Sequence, residues 1–316
     1  MKIVNSKLKV AVLAGGVGSE RQVSIESGRC VEQGLKQAGI DVITADIVPG
    51  QTAILQDNSI DLFFLALHGQ FGEDGQLQQI LEDNSLCYTS SGPETCRLAF
   101  DKMAAKNLFS RAGVCTPAAL ELHNDTDITQ LQKQLRQLSE RFVVKPVRQG
   151  SSIGVSMADS PKQAIALART CLAQFGSCML EEFIQGQEIT VGILDGNALP
   201  IIEIRPAESF YNYKAKYHDQ ATQFLFDTIS DQTLSAQVQA LALKCYHVLG
   251  CRYMARADFI LTPNRQLYAL EINTIPGLTS HSLLPKAAAK VGYSMSRLCM
   301  TVIEAAVRDR KVKIVS

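Results

Sequence analysis

Two acids and an amide near the C-terminal end share a strand-like spacing. Glu271 and Asn273 are two residues apart, so on a strand both side chains point to one face. Arg256 and Asp258 have the same spacing in the preceding apolar segment. Carboxylate and amide oxygens are hard ligands that suit one or two Mg²⁺ ions bridging phosphate oxygens. A solvent-facing strand with an incidental ion pair is the alternative, but the apolar neighbours favour a metal site.

Two lysines and a glycine-rich turn could bind phosphates. Lys145 ends the apolar run 142–144, where a lone ammonium needs an anionic partner. Lys102 lies in a segment with helical spacing. The glycines and serines of 149–154 could cover phosphates with backbone N–H groups. A plain hairpin turn would explain 149–154 alone, but together with the lysines and the acid pair it favours phosphate binding.

The segment 178–184 is predicted to be a strand that carries two acids near its end. Glu181 could accept a hydrogen bond from an adenine amino group or a ribose, with Phe183 and Ile184 beside the base. Because strand ends are often acidic for solubility, this pattern alone is a weak indication of a nucleotide site.

The glycines at 15–18 suggest a dinucleotide-binding turn, but Arg21 stands where that motif needs its third glycine. Asp46 is an imperfect candidate for the acid that would bind the ribose. Glu20, at a turn entering a helix, could instead bind an ammonium group. A plain acid at a helix start is the alternative for Glu20.

His68 opens a loop with three glycines, 68–75, directly after an apolar strand. Ligands of α/β proteins bind at the carboxyl ends of strands. A lone histidine is more often structural than catalytic, but this location favours a functional role.

Composition narrows the protein class. The 316 residues include 31 Lys plus Arg and 31 Asp plus Glu, so the formal net charge is zero. This balance disfavours a nucleic-acid or anionic-membrane partner. No apolar run approaches the ~18 residues of a membrane span, and the first nine residues carry no signal-peptide core. Nine cysteines without a Cys-x-x-Cys pair are typical of a reducing compartment, so we expect a cytoplasmic protein.

Predicted elements must hold these groups in place. Strand–helix–strand spacing over 8–14, 22–38, 41–47 and 62–67 predicts a parallel α/β layer. Residues 95–112 have the pattern of one helix. Further strands and helices are predicted over 127–140, 142–145, 162–174, 178–184, 187–194, 198–205, 233–249, 253–261 and 266–273, with a polar loop at 206–222.

Eight ordered motifs cover nearly the whole chain. They are GGVGSERQVS at 15–24, ALHGQFGEDGQLQ at 66–78, DK at 101–102, VVKPVRQGSSIGVS at 143–156, LEEFIQGQEITV at 180–191, FYNYKAKY at 210–217, RAD at 256–258 and LEINTIPGLTSHSLLP at 270–285. Together they resemble the D-alanine–D-alanine ligases of the ATP-grasp superfamily. The resemblance implies an α/β protein in which an N-terminal parallel-sheet domain, 1–96, precedes a two-domain ATP-grasp fold, 97–185 and 186–316.

The resemblance also implies an ATP site and a site for two Mg²⁺, with Mn²⁺ as a possible substitute. Residues that would contact the phosphates are Lys102, Lys145, Ser151 and Lys216. Glu181 would bind adenine, Phe183 and Ile184 would line the base, and Glu188 would bind the ribose. The metal ligands would be Asp258, Glu271 and Asn273.

For the substrates, the resemblance places the ammonium of a first D-alanine on Glu20, with His68 beside it. Arg256 and the backbone of Gly277 would stabilise a tetrahedral intermediate. Ser282 and Leu283 would receive the carboxylate of the second D-alanine. Tyr217, from the polar loop, would join Ser151 and Glu20 in a hydrogen-bonded closure.

The implied reaction is ATP-dependent formation of D-alanyl-D-alanine for peptidoglycan, through a D-alanyl phosphate, by a homodimer. Another ATP-grasp ligase, with different acids and amines, is a second hypothesis that the motifs around Glu20, His68 and Ser282 disfavour. A dinucleotide-dependent oxidoreductase is a third hypothesis. A non-catalytic binding protein on the same fold is disfavoured because every metal and phosphate position holds a competent side chain.

Overall fold

The structure is a computed structural model that describes residues 8–206 and 222–315, with side chains to residue 310. Two predicted site residues, Lys216 and Tyr217, lie outside the described residues. The described strands form three sheets of three, four and five strands. All three sheets contribute residues to the candidate site.

The first sheet is parallel, as the strand–helix–strand spacing predicts. Its strands, in spatial order, are β2 (Asp41–Ile47), β1 (Lys9–Gly15) and β3 (Leu62–Leu65). Helix α1 (Arg21–Gln37) forms the crossover from β1 to β2, and a 3₁₀ helix (Ala53–Gln56) precedes β3. Because β1 and β3 run side by side in the same direction, the loops that carry Glu20 and His68 leave the same edge of the sheet.

After β3 come three helices: α2 (Gln76–Asp83), α3 (Pro93–Phe100) and α4 (Lys102–Arg111). The prediction of one continuous helix over 95–112 was wrong. Asp101 has an extended backbone, and its carboxylate accepts a 2.9 Å hydrogen bond from the N–H of Ala104. The first N–H groups of a new helix have no carbonyl partner in a preceding turn, and the side chain of a capping aspartate accepts hydrogen bonds from them instead. Lys102 therefore begins α4.

The second sheet is antiparallel and has its own apolar core. Its strands, in spatial order, are β4 (Ala119–Leu122), β7 (Cys178–Glu182), β5 (Phe142–Lys145) and β6 (Ser156–Ala158). Helices α5 (Ile128–Leu138) and α6 (Pro161–Phe175) contribute to that core, where Leu135 and Ala168 are fully buried with Phe142 and Leu180. Lys145 pairs with Met179, so Glu181 lies diagonally across from it, at a distance that long side chains can span.

The third sheet is also antiparallel. Its strands, in spatial order, are β10 (Gln223–Phe226), β9 (Asn197–Arg205), β8 (Gln187–Leu194), β11 (Met254–Leu261) and β12 (Leu267–Asn273). The remaining helices of the described ranges are α7 (Gln232–Leu249), α8 (Leu283–Lys290) and α9 (Met295–Val315). Both α3 and α4 pack against β12. Lys102 therefore begins a helix that lies against the hairpin of β11 and β12.

The first sheet and the third sheet share an apolar core with the helices that pack on them. Leu298 and Val302 of α9 belong to the same apolar cluster as Val31 and Leu35 of α1. Within the described ranges, no helix is long and apolar enough to cross a membrane. The domain limits near residues 96 and 185 remain predictions.

Candidate active site

A cleft of about 380 Å³ lies between the second and third sheets. Its walls include Val143 from the second sheet and Ile260 from the third, so its sides are partly apolar. Eight residues predicted to bind nucleotide or metal line it: Lys102, Lys145, Glu181, Phe183, Ile184, Glu188, Asp258 and Glu271. The sequence placed these residues in one site although they span about 170 positions, and the fold brings them together.

The carboxylate of Glu181 lies between two lysines. Its Oε2 is 2.7 Å from Nζ of Lys145, and its Oε1 is 2.5 Å from Nζ of Lys106. Burial alone would raise the pKa of Glu181, but the two ammonium groups outweigh it and hold the pKa below its ordinary value. Sequence reasoning missed Lys106, because an internal lysine of a helix carries no signal that it is buried.

The turn at 149–154 reaches from the nucleotide cleft to Glu20. Gly150, Ser152 and Ile153 line the cleft, while the hydroxyl of Ser151 donates a short hydrogen bond to Oε1 of Glu20. A Cβ on Gly150 would lie 2.9 Å from that carboxylate, so a larger residue there would displace the Glu20 side chain.

The β11–β12 hairpin, called the acidic hairpin below, brings the four predicted polar residues to one face. Across β11 and β12, Arg256 faces Asn273 and Asp258 faces Glu271. The Arg256 guanidinium donates two hydrogen bonds to Asp258, at 2.9 and 2.7 Å, and both side chains are more than nine-tenths buried. Glu271 pairs with Lys102 at 3.2 Å. The alternative of a solvent-facing strand with an incidental ion pair is therefore wrong.

This donor set fits a hard divalent cation. Asp258, Glu271 and Asn273 present two carboxylates and an amide on adjoining strands, all oxygen donors of the kind Mg²⁺ prefers. Among the described residues, no three His, Cys, Asp or Glu side chains gather as a metal cluster. The hairpin therefore suits an ion that takes its other ligands from phosphate oxygens or water.

Glu20 is buried at the entrance to α1. Its side chain does not cap the helix, so the carboxylate is directed elsewhere, to Ser151. Gly69 lies so close to Oε2 of Glu20 that a Cβ there would overlap it. The reading of Glu20 as a plain helix-start acid does not fit this environment.

His68 connects the first region to the loop after β12. Its Nδ1 lies 3.0 Å from the carbonyl oxygen of Ile275, and its Nε2 lies 2.8 Å from the hydroxyl of Ser27. Because a carbonyl only accepts, Nδ1 carries a proton. The Ser27 oxygen also accepts a 3.2 Å hydrogen bond from the N–H of Leu278.

Glu73 is a buried acid that sequence reasoning left unassigned. Its carboxylate accepts the N–H of Gly69 at 2.7 Å and that of Ile275 at 3.4 Å. Burial, with the charge of Glu20 nearby, raises the pKa of Glu73 to about 8. Its crevice is shared with Glu271. The sequence signal that could have identified Glu73 was its position in the glycine-rich loop 68–75, which begins at His68.

The last motif forms a compact turn before α8. The Ser282 oxygen accepts the N–H of Thr279 at 3.1 Å and lies 2.9 Å from the Thr279 hydroxyl. A Cβ on Gly277 would lie 2.6 Å from that oxygen, so the backbone at 277 packs directly on Ser282. Leu283 is buried at the start of α8.

Asp46 has a structural role in the first glycine loop. It accepts a 2.9 Å hydrogen bond from Arg21, whose guanidinium also donates to the carbonyl of Gly16 at 3.0 Å. A Cβ on Gly15 would overlap the Asp46 carboxylate. Asp46, the candidate acid for a dinucleotide ribose, is thus paired with Arg21, the residue that stands in place of the motif's third glycine.

Comparison with known proteins identifies the family. The family described as D-ala D-ala ligase C-terminus matches residues 108–304. A D-alanine–D-alanine ligase of Syntrophotalea carbinolica is 38% identical over 299 residues, which cover 94% of this chain and 96% of the relative. The chain belongs to the D-alanine–D-alanine ligase family. The expected enzyme class is confirmed.

Solved structures of ligases share the fold. A D-alanine–D-alanine ligase from Bacillus anthracis complexed with ATP superposes with a TM-score of 0.86 at 34% identity, covering 97% of this chain and 99% of that one. The VanG D-Ala:D-Ser ligase from Enterococcus faecalis gives a TM-score of 0.83 at 25% identity, covering 95% and 99%. The expected fold class, an α/β N-terminal domain followed by an ATP-grasp fold, is confirmed.

Proposed function

We propose that this chain of the ligase family joins two D-alanines into D-alanyl-D-alanine, with ATP consumed through a D-alanyl phosphate. The observation that carries the proposal is the hydrogen bond between Ser151 and Glu20. It joins the turn that lines the nucleotide cleft to a buried acid at the edge of the first sheet. A substrate held at Glu20 would therefore lie next to the phosphate end of a nucleotide in the cleft.

The nucleotide would lie along the cleft with its base between the two sheets. The acceptor oxygens of Glu181 suit the adenine amino group, and Phe183 and Ile184 line the same end. Glu188 would bind the ribose. Lys102, Lys145 and the turn at 149–154 would bind the phosphates.

Asp258, Glu271 and Asn273 would hold two Mg²⁺, or Mn²⁺ in their place. The ions would supply positive charge between the phosphates and the substrate carboxylate, which otherwise repel each other. Lys102 and Arg256 also pair with two of these carboxylates, those of Glu271 and Asp258.

The first D-alanine would be held by its ammonium at Glu20, with His68 fixing the neighbouring loop through Ile275. The second would present its carboxylate to Ser282 and Leu283, at the N-terminus of α8, where the helix dipole favours an anion. Arg256 and the backbone N–H of Gly277 would stabilise the oxyanion that forms when the second amine attacks.

Tyr217 would close hydrogen bonds with Ser151 and Glu20, and Lys216 would contact the transferred phosphoryl group. Closure of the polar loop would exclude water, which would otherwise hydrolyse the acyl phosphate. We further propose a homodimeric cytoplasmic enzyme that supplies peptidoglycan precursors. Its nine cysteines, all within the described ranges, are free thiols, which suits a reducing compartment.

The test is phosphate release from MgATP with D-alanine, compared with L-alanine as the matched control. We expect phosphate release to depend on D-alanine and to match the dipeptide formed. Equal stimulation by both enantiomers, or none by either, would refute the proposal. Parallel reactions with D-serine and D-lactate as second substrates would define the acceptor range.

A further inference from the structure

The Lys106–Glu181–Lys145 triad contains two lysines in different positions relative to the nucleotide cleft. Lys145 and Glu181 line the cleft, whereas Lys106 is not among the cleft residues and approaches Glu181 from α4. All three residues are more than nine-tenths buried. Glu181 therefore pairs with one lysine that lines the cleft, Lys145, and with one that does not, Lys106.

The ammonium of Lys106 makes two hydrogen bonds in addition to its ion pair with Glu181. It donates to the hydroxyl of Thr116 and to the carbonyl of Pro117, both at 2.7 Å. These two acceptors lie outside the Glu181 carboxylate, so they hold the Lys106 ammonium independently of that ion pair.

Lys145 has competing demands under the proposed function. Its ammonium now pairs with Glu181, but the phosphates of a bound nucleotide would attract the same ammonium. If Lys145 were the sole counter-ion, phosphate binding would leave a buried carboxylate unpaired, which is costly or forces its protonation.

We propose that Lys106 is a positioning residue for nucleotide binding, which keeps Glu181 ionised and oriented while Lys145 exchanges that carboxylate for phosphate. This proposal rests on the proposed nucleotide site and extends it to a residue outside the cleft. The placement of α4 supports it, because Lys102 and Lys106 lie one turn apart on the same helix. Lys102 pairs with Glu271 at the metal end of the cleft, and Lys106 pairs with Glu181 at the base end.

The ionised form of Glu181 also bears on base selection. A carboxylate only accepts hydrogen bonds, so it suits the amino group of adenine and repels the carbonyl oxygen that hypoxanthine has at the same position. A protonated Glu181 could donate to that carbonyl. Loss of Lys106 should therefore weaken ATP binding and reduce discrimination against inosine triphosphate.

The experiment is calorimetric titration of full-length Lys106→Met with MgATP and with the magnesium salt of inosine triphosphate, without D-alanine. We expect the Kd for ATP to rise about 10- to 100-fold and the ATP preference over inosine triphosphate to fall. In D-alanine assays, KM for ATP should rise while kcat at saturating ATP changes less than about threefold. Lys133→Met, at an exposed position of α5, is the matched control and should match wild type.

A double variant separates positioning from a structural role. Adding Glu181→Gln removes the charge that Lys106 is proposed to hold, so Lys106→Met should then cost less than about threefold in affinity and regain melting temperature. An unchanged Kd in folded Lys106→Met, or the same loss of affinity and stability in both backgrounds, would overturn the proposal. If Lys106→Met is too unstable to titrate, failure of the double variant to restore folding counts equally against it.

This design distinguishes the two proposals. If wild type binds ATP and Lys106→Met weakens it, but no D-alanine turnover occurs, the proposed reaction fails and the role of Lys106 stands. If turnover is normal but Lys106→Met binds ATP like wild type, the reverse holds. Absence of ATP binding by wild type would refute both.

Discussion

The cleft and the neighbouring crevice lined by Glu73, called here the base end and the substrate end, bury carboxylates in opposite electrostatic environments. At the base end, Glu181 has an ammonium on each oxygen, and its pKa is lowered despite complete burial. At the substrate end, Glu73 receives only backbone N–H groups, and with Glu20 nearby its pKa is raised to about 8. Burial is common to both acids, so the difference comes from the charges that the fold places around them.

This contrast matches the ligands that each end is proposed to receive. The base end is already charge-compensated, so it can accept a neutral purine without leaving an unpaired charge. At the substrate end, the carboxylate of Glu20 is proposed to bind an ammonium group, while the raised pKa leaves Glu73 mostly protonated near pH 7. Arg256, whose charge lowers the pKa of Glu73, lies close enough to influence the same end.

The largest expected effect comes from removing the cation at the substrate end. Arg256→Ala should lower kcat by on the order of 10²–10³, the usual cost of losing one oxyanion donor. ATP binding should be retained, because the base end does not depend on this residue. Steady-state kinetics with calorimetric ATP titration would check both.

Arg265→Ala is the matched control, since this exposed arginine lies in the turn between β11 and β12 and pairs with Asp231. It should leave kcat unchanged. If folded Arg256→Ala lost ATP binding as well as turnover, the assignment of Arg256 to oxyanion stabilisation alone would be contradicted.

Glu20→Gln should have the next largest effect. The amide keeps an acceptor for Ser151 but removes the charge for an ammonium. Hydrogen bonds to charged groups contribute about 1.5–3 kcal/mol, so KM for the first D-alanine should rise about 10- to 100-fold. Initial rates at varied D-alanine would measure it, with exposed Glu26→Gln on the same helix as control. An equal KM in both variants would contradict the assignment.

The third expected effect is on stability and not on catalysis. Because the pKa of Glu73 is raised from 4.5 to about 8, the folded state retains a proton that the unfolded state releases between those values. Wild-type stability from this group therefore falls as pH rises from about 4.5 to 8. Glu73→Gln cannot release a proton, so its stability relative to wild type should increase over that window.

Urea unfolding of both proteins at pH 5 and pH 8 would test this sign. A difference between wild type and Glu73→Gln that stays constant across the window would contradict the raised pKa. Glu181 supplies the comparison, because its lowered pKa makes its contribution fall as pH drops below the ordinary glutamate range instead.

Local patterns were enough to predict several features correctly. The parallel pairing of the first sheet follows from strands separated by a helical crossover. The shared face of Arg256, Asp258, Glu271 and Asn273 follows from the two-residue period of the hairpin strands. These predictions succeeded because they depend on residues that are close in the sequence.

Other features required contacts between distant segments. The break at Asp101 depends on a capping hydrogen bond. The pattern of apolar residues does not show that this capped arrangement is favoured over one continuous helix. The roles of Lys106 and Glu73 depend on burial, since an exposed lysine or glutamate has the same sequence signature. The assigned roles of Lys216 and Tyr217 stay predictions.

By itself, the sequence indicated the family and most of the element types, and it predicted which residues would bind metal, phosphate and an ammonium group. Periodicity and motif spacing carry that information because they reflect backbone geometry and side-chain chemistry. The tertiary structure decided the electrostatic environment of each acid: Glu181 pairs with two lysines and Asp46 with Arg21, whereas burial raises the pKa of Glu73 so that it keeps its proton up to about pH 8. The ionisation of a buried carboxylate depends on charges within a few ångströms, and those come from segments that only folding brings together.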